Sequence, residues 1–449
     1  MAWSRPLDPA EAFFVRLDRV SRMNFVVRVD CDEVIDSARL RVALDQVQHE
    51  DRLLAVAITK VDQQLIFEWQ PGRAIPIEVL ESSRDQWDRM AERQLSSKFE
   101  AGDAPLLHAL LLHDRACGWS SLTLTFHHAI ADGRCAGELC RRILDAMAGD
   151  ARATPSASLG AADCGAVPAD LLPLHEGYPE VFRPPQCNAV ERRIEREWAL
   201  QAYRSGPPTP LPWFADHPGP FSPKIHRLRI SEHDWRDLAA QCRRRNASVH
   251  GLFCAIQLLA LHEILGADAS HNLLIFSAVD LRGRLATPAP LRPVQLHASN
   301  LYNMYTLHER TELWELAKMA TVLTRAQLDR GDAHLFYRRR EVARFALPNP
   351  QTDALRWSQQ TMEPRGSVLS TVGQFRGFAP HGQVRNVSLA IAPARNQACC
   401  TMVSSVNGRP DVCVICDDAN LRPGLREQLV QSQQRVLDRA VQACGEISP

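Results

Sequence analysis

Apolar and polar positions along this chain switch between a period of two and a period of three to four, and the switches mark out its elements. Met23-Asn24-Phe25-Val26-Val27-Arg28-Val29 predicts a strand, and the run that starts at Asp36 and places Leu40, Leu44 and Val47 on one side predicts a helix. Leu53 to Ile58 reads as a second strand, and Leu106 to Leu112 and Leu122 to Phe126 as two more, the last of them β-branched and alternating. Beyond two histidines, Ala136, Leu139, Cys140, Ile143, Leu144 and Met147 recur at helical spacing, which is an amphipathic helix with one buried stripe.

From about Ala151 to Pro223 proline, alanine and glycine accumulate, as in Arg183-Pro184-Pro185 and Gly206-Pro207-Pro208-Thr209-Pro210, and the periodicity fades. A second ordered half follows. His226 to Ile230 reads as a strand, Ser231 as the N-cap of a helix to Arg245, Leu252 to Leu265 as a buried helix, Leu273 to Val279 as a buried strand and Glu312 to Leu328 as a helix. Strands near Val387 to Ile391, Cys400 to Val406 and Val412 to Cys416 come next, the last two joined by an Asn407-Gly408 turn, and then a helix from Leu425 to Val441. With 449 residues the chain exceeds the ~250 to 300 at which one core usually stops growing. The expected division is 1–180, a proline-rich connection over 181–222, and 223–449.

Charge narrows the partners. Lys plus Arg and Asp plus Glu are both 52, so no global field draws nucleic acid or an anionic membrane. Arg243, Arg244, Arg245 and Arg338, Arg339, Arg340 form local clusters that suit a solvated helix surface and are compatible with an acidic protein partner. The first residues lack the apolar core of a signal peptide, and Leu252 to Leu265 is too short to span a bilayer, so a cytoplasmic protein without a membrane span is expected. The thirteen cysteines are irregularly spaced and read as reduced thiols. Cys413 and Cys416 form a lone CxxC without a second pair or a nearby histidine, so no metal site is assigned.

His127-His128-Ala129-Ile130-Ala131-Asp132-Gly133 is the segment whose residue types suggest chemistry. A histidine between strand and helix sits at a surface, and its ordinary pKa of about 6.5 suits it to take a proton near neutrality. Adjacent histidines on extended backbone point opposite ways, so one of the two enters a given cleft. From the residues alone a general base, a packed pair and a metal-linked pair all stay open.

The segment also matches, in every fixed position, the HHxxxDG signature of the condensation-domain superfamily, which the chain resembles over nearly its whole length. That superfamily includes peptide-synthetase condensation domains, polyketide-associated acyltransferases, plant acyltransferases and, more distantly, chloramphenicol acetyltransferase. Ile35 to Leu44 resembles its early helix, and Phe99 to Leu107 the segment that feeds the catalytic strand. Val279-Asp280-Leu281-Arg282 looks like the VDLR stretch of the polyketide-associated group. Ser299-Asn300-Leu301-Tyr302-Asn303 resembles the GxFVN element with Ser299 in place of glycine, and Ser370-Thr371-Val372-Gly373 the SNxG segment with Thr371 in place of asparagine. The DFGWG element of the plant branch is absent, and no adenylation or carrier domain follows, so a free-standing member is expected.

The resemblance implies an α/β fold of two chloramphenicol-acetyltransferase-like subdomains in a V around a central tunnel. It implies an acyltransferase in secondary-metabolite or lipid biosynthesis that moves an acyl group from a phosphopantetheine thioester, on CoA or an acyl or peptidyl carrier protein, to a hydroxyl or amine. No bound cofactor is needed, since the thioester is a co-substrate. His128 would be the base, with His127 supporting, and Gly133 would allow a tight entry into the helix. Asp132 would hold the loop by a salt bridge to an arginine of the second half, Arg284 ahead of Arg282. Ser370 would face the oxyanion, with Tyr302 and Asn303 lining the tunnel. The competing reading is a silent relative that binds an acyl carrier without turnover.

Overall fold

The computed structural model describes residues 3–19, 21–62, 64–100, 102–149, 174–183, 186–216, 219–338, 365–378, 380, 381 and 383–445. The first half runs β1 (Ser4–Pro6), α1 (Pro9–Leu17), β2 (Asn24–Cys31), α2 (Ser37–Glu50), β3 (Val56–Val61), β4 (Gln64–Trp69), β5 (Ile77–Glu81), α3 (Trp87–Leu95), β6 (Leu107–Asp114), β7 (Trp119–His127) and α4 (Gly133–Ala148). The second runs α5 (Cys187–Ser205), β8 (Pro223–Arg227), α6 (Glu232–Arg244), α7 (Val249–Leu265), β9 (His271–Asp280), β10 (Ala298–Leu307) and α8 (Leu313–Arg330), then β11 (Gly366–Phe375), β12 (Val384–Ile391), β13 (Gln397–Val406), β14 (Arg409–Asp417) and α9 (Leu425–Gly445).

Caps place several helix starts where the sequence puts them. Asp36 accepts from the Arg39 amide at 2.8 Å, and Ser231 from that of Asp234 at 3.1 Å, satisfying amides that the first turn leaves without partners. Two expectations shift. Arg52–Ala55 is a 3-10 turn and the strand follows it at Val56, while the strand expected at His226 to Ile230 lies at Pro223–Arg227. The proline-rich connection contains the whole of α5, whose narrow stripe of Cys187, Val190 and Ile194 packs on Leu335. Its Pro184 and Pro185, residues 151–173 of the stretch that starts at Ala151, and Arg339 and Arg340 lie outside the described residues.

Two larger sheets make the frame. One has the order β12-β2-β7-β6-β5 and the other β10-β9-β11-β13-β14-β8, beside a small β1-β4-β3 sheet. The first takes its edge strand from the second half: β12 pairs antiparallel to β2, with Leu389 opposite Val27. The six-stranded sheet has two buried faces. One packs on helices through Cys399, Val403 and Val414, and the other faces the first half through Cys400, Met402, Cys413 and Ile415. The CxxC cysteines Cys413 and Cys416 therefore belong to opposite faces of β14, as a spacing of three on a strand requires. Asp88, held within the first half by Arg28 at 2.6 Å, takes Arg227 of the second half at 2.8 Å. Among the described residues no single helix is long and apolar enough to cross a membrane.

Candidate active site

β7 ends the run of alternation that buries Leu122, Leu124 and Phe126, and the two histidines lie where it gives way to the loop before α4. They part as extended backbone demands. His127 stays inside the first half, its Nδ1 accepting from the Ala129 amide at 3.1 Å, and burial together with the neighbouring His128 holds its imidazole down at about 3. His128 lines a cavity of about 190 Å³. Its backbone amide donates to the Met23 carbonyl at 2.9 Å, which pins the loop to the start of β2.

Burial lowers the His128 pKa from its ordinary value, against the backbone of His128 itself and of Ala131 and the Asp132 carboxylate, which favour the proton. The imidazole is thus neutral at physiological pH, the form in which it takes a proton. Its Nδ1 is buried without a well-formed hydrogen bond.

Asp132 turns away from this chemistry. It caps α4, accepting from the amides of Arg134 at 3.0 Å and Cys135 at 3.1 Å. From the other half Arg282 reaches it with Nη1 at 3.2 Å and Nη2 at 2.9 Å, and the His297 amide donates at 2.8 Å. Burial would push this carboxylate up, but the guanidinium and the amide outweigh it and hold it at about 2. The expected partner Arg284 is not the one. Its side chain is 33% exposed and pairs with Asp329, while Arg282 is buried and spends its remaining donors on Asp280 and the Pro290 and Gln295 carbonyls. Both arginines belong to one 3-10 turn, and its geometry sends Arg282 inward and Arg284 out.

Gly133 is needed for a reason other than a tight entry. A Cβ there would stand 2.5 Å from Leu389 of β12, so its hydrogen lets α4 approach the shared strand. Tyr302 and Ser370 both line the cavity. Asn303 does not: as the next residue on β10 it falls on the opposite face, where its Nδ2 is buried without a partner. Ser299 donates to the Ala333 carbonyl at 2.6 Å and ties β10 to the 3-10 turn Asp332–Arg338. Gly373 follows a bulge in β11 with φ +86°, a conformation that favours glycine.

The residues that sequence reasoning passed over are mostly aromatic. Phe14 stacks on His128 with ring centroids 4.0 Å apart and planes 7° from parallel, and Phe25 lies 5.0 Å away. Phe13, Phe276, Phe336 and Tyr337 line the same cavity. Arg134 and Asp280 meet at 2.5 Å on its wall, one from each half. His250 bridges Thr371 and Ser277, each at 3.0 Å, with its imidazole held down at about 4 by burial. The Phe13-Phe14 pair at the start of the chain carried the one available signal, two large apolar residues on a helix opened by Asp8 and Pro9.

Comparison with known proteins adds to this geometry. Residues 219–351 match the family model described as the phthiocerol/phthiodiolone dimycocerosyl transferase C-terminus. No curated protein matches the chain in sequence. The first condensation domain of the calcium-dependent antibiotic synthetase superposes with a TM-score of 0.70 at 14% identity, covering 100% of this chain and 97% of that one. The trichothecene 15-O-acetyltransferase of Fusarium sporotrichioides gives 0.69 at 12% identity, covering 98% and 95%. Polyketide synthase associated protein 5 of Mycobacterium tuberculosis gives 0.62 at 17% identity, covering 98% of each. At these identities the likeness is one of fold, an α/β architecture with open sheets.

Proposed function

We propose that this chain, which has the fold of the condensation-domain and polyketide-associated acyltransferase superfamily, transfers an acyl group from a phosphopantetheine thioester to a hydroxyl or amine with His128 as general base. One observation carries the reading: a buried, neutral imidazole opens on a cavity walled by both halves, at the end of a loop held by a paired carboxylate.

In this reading His128 Nε2 takes the proton of the acceptor as its oxygen or nitrogen bonds to the thioester carbon. The tetrahedral oxyanion collapses, the C–S bond breaks, and the leaving thiolate takes the proton back from the imidazolium. A general base contributes roughly 10²- to 10⁴-fold, so holding both substrates in line must contribute at least as much. Ser370, on the cavity wall, is the hydroxyl proposed to face the oxyanion. Asp132 and Arg282 hold the loop and move no proton.

The test is product formation from a panel of acyl-CoA and acyl-carrier thioesters with pooled alcohols and amines, read by mass spectrometry. An ester or amide that disappears in His128→Ala supports the proposal. Product that persists in the variant sinks the base assignment, and silence from both proteins favours a binding scaffold.

A further inference from the structure

We propose that Phe14 is the positioning residue of His128: its ring, laid flat on the imidazole, fixes the plane of the base and keeps water off one face. A histidine base is commonly oriented by a carboxylate or carbonyl on its second nitrogen. Here no carboxylate engages that nitrogen, the backbone of His128 itself and of Ala131 lies close to the imidazole without a well-formed bond to Nδ1, and the flat sides of the ring are packed by Phe14 at 4.0 Å and 7° and by Phe25 at 5.0 Å and 55°. Contacts between such rings are directional, so a parallel stack defines a plane as well as filling space.

The helix that carries Phe14 is anchored at its start and along its length. At the start of α1, Asp8 accepts from the Ala10 amide and Glu11 from the Asp8 amide, both at 2.7 Å, while Glu11 also accepts from Nη1 and Nη2 of Arg5, each at 2.7 Å. Further along, Phe13 meets Phe336 at 5.8 Å and Tyr337 at 5.5 Å, rings that belong to the second half. Docking of the halves thus bears on the base through α1. The charged groups around the stack are spoken for. Asp132 is paired with Arg282, Glu11 with Arg5, Arg28 of β2 with Asp30 and Asp88, and Arg134 with Asp280. Tyr337 adds a neutral phenol that donates to the Ala298 carbonyl. What remains for Phe14 is to keep the imidazole aligned and dry, which favours its neutral form.

The inference rests on His128 being the base, but its test needs no substrate. Histidine labelled at Cε1 gives a resonance for His128, identified by its loss in His128→Gln, that is followed through a pH titration. In Phe14→Leu the midpoint is expected to rise toward the ordinary ~6.5, with loss of the ring-current displacement of the Cε1 proton, while Phe14→Tyr keeps both near wild type. A Phe14→Leu titration that superposes on wild type overturns the proposal. So does a wild-type midpoint at or above the ordinary value, which needs no folded variant. Absence of acyl transfer in the wild type would count against the base and leave the measured stack standing.

Discussion

Asp132 and Arg282 lie 150 residues apart in sequence and meet through two hydrogen bonds, one from each terminal nitrogen to each carboxylate oxygen, with side chains 4% and 5% exposed. The loop that holds His128 in the first half is therefore tied to a turn of the second, and the pair is a joint between halves more than a member of the reaction.

Breaking the joint should cost stability first. Arg282→Gln and Asp132→Asn each leave a buried group without its counterpart, so each is expected to lower the free energy of urea unfolding by about 3 to 5 kcal/mol. Arg284→Gln, which removes an exposed pair with Asp329, should shift it by no more than about 0.5 kcal/mol. Equal effects at the two arginines would reverse the assignment.

His128→Gln should spare the fold and remove transfer. The expected loss in kcat is about 10²- to 10⁴-fold at unchanged far-ultraviolet circular dichroism, measured on the best thioester of the panel. His127, already engaged with the Ala129 amide, belongs to the architecture of the loop, and His127→Ala should lower the melting temperature as well as the rate.

Two glycines of α4 test the close approach of the halves. A Cβ at Gly137 would lie 2.1 Å from the Phe375 ring, and one at Gly133 2.5 Å from Leu389. Overpacking of this kind typically costs about 1 to 3 kcal/mol, so Gly133→Ala and Gly137→Ala should each destabilise by that order. The double variant Gly133→Ala with Leu389→Ala should lose less than the sum of its parts, a coupling that thermal unfolding of the four proteins in the cycle would detect.

Acid should weaken the fold in two stages. A histidine whose folded pKa lies below its unfolded value stabilises fully above the unfolded value and loses that contribution as pH falls toward the folded one. For His127 the window runs from ~6.5 down to about 3. Asp132, held at about 2, adds a second loss that starts near the ordinary carboxylate value of ~3.9. Urea midpoints measured between neutrality and acid should fall throughout this range, and in Asp132→Asn the steeper decline below ~4 should be reduced.

Patterns that depend on neighbours in sequence were legible. Short apolar or β-rich runs gave β2, β6 and β14, alternation gave β7, and Asp36 and Ser231 gave helix starts, because a cap and its first turn are a few residues apart. The HHxxxDG segment was legible for the same reason. Which arginine reaches Asp132 was not, since Arg282 and Arg284 share one turn and differ only in the direction it gives them. Asn303 illustrates the same limit, as a motif names a residue without saying which face of the strand it takes. Phe14 was invisible as a partner of His128 because rings that pack against each other across a hundred residues leave no periodic trace.

The edge strand that the first sheet takes from the second half bears on how the protein is made. On a ribosome β2 and β7 emerge early, yet β2 meets its outer neighbour only when Val384–Ile391 has been synthesised. Until then one row of its amides and carbonyls stands open, the kind of edge that invites pairing with another chain. The nascent amino-terminal half is thus a client awaiting its own carboxy-terminal stretch, and a gene divided at the connection would yield one fragment with a bare edge and another with a strand that has lost its sheet.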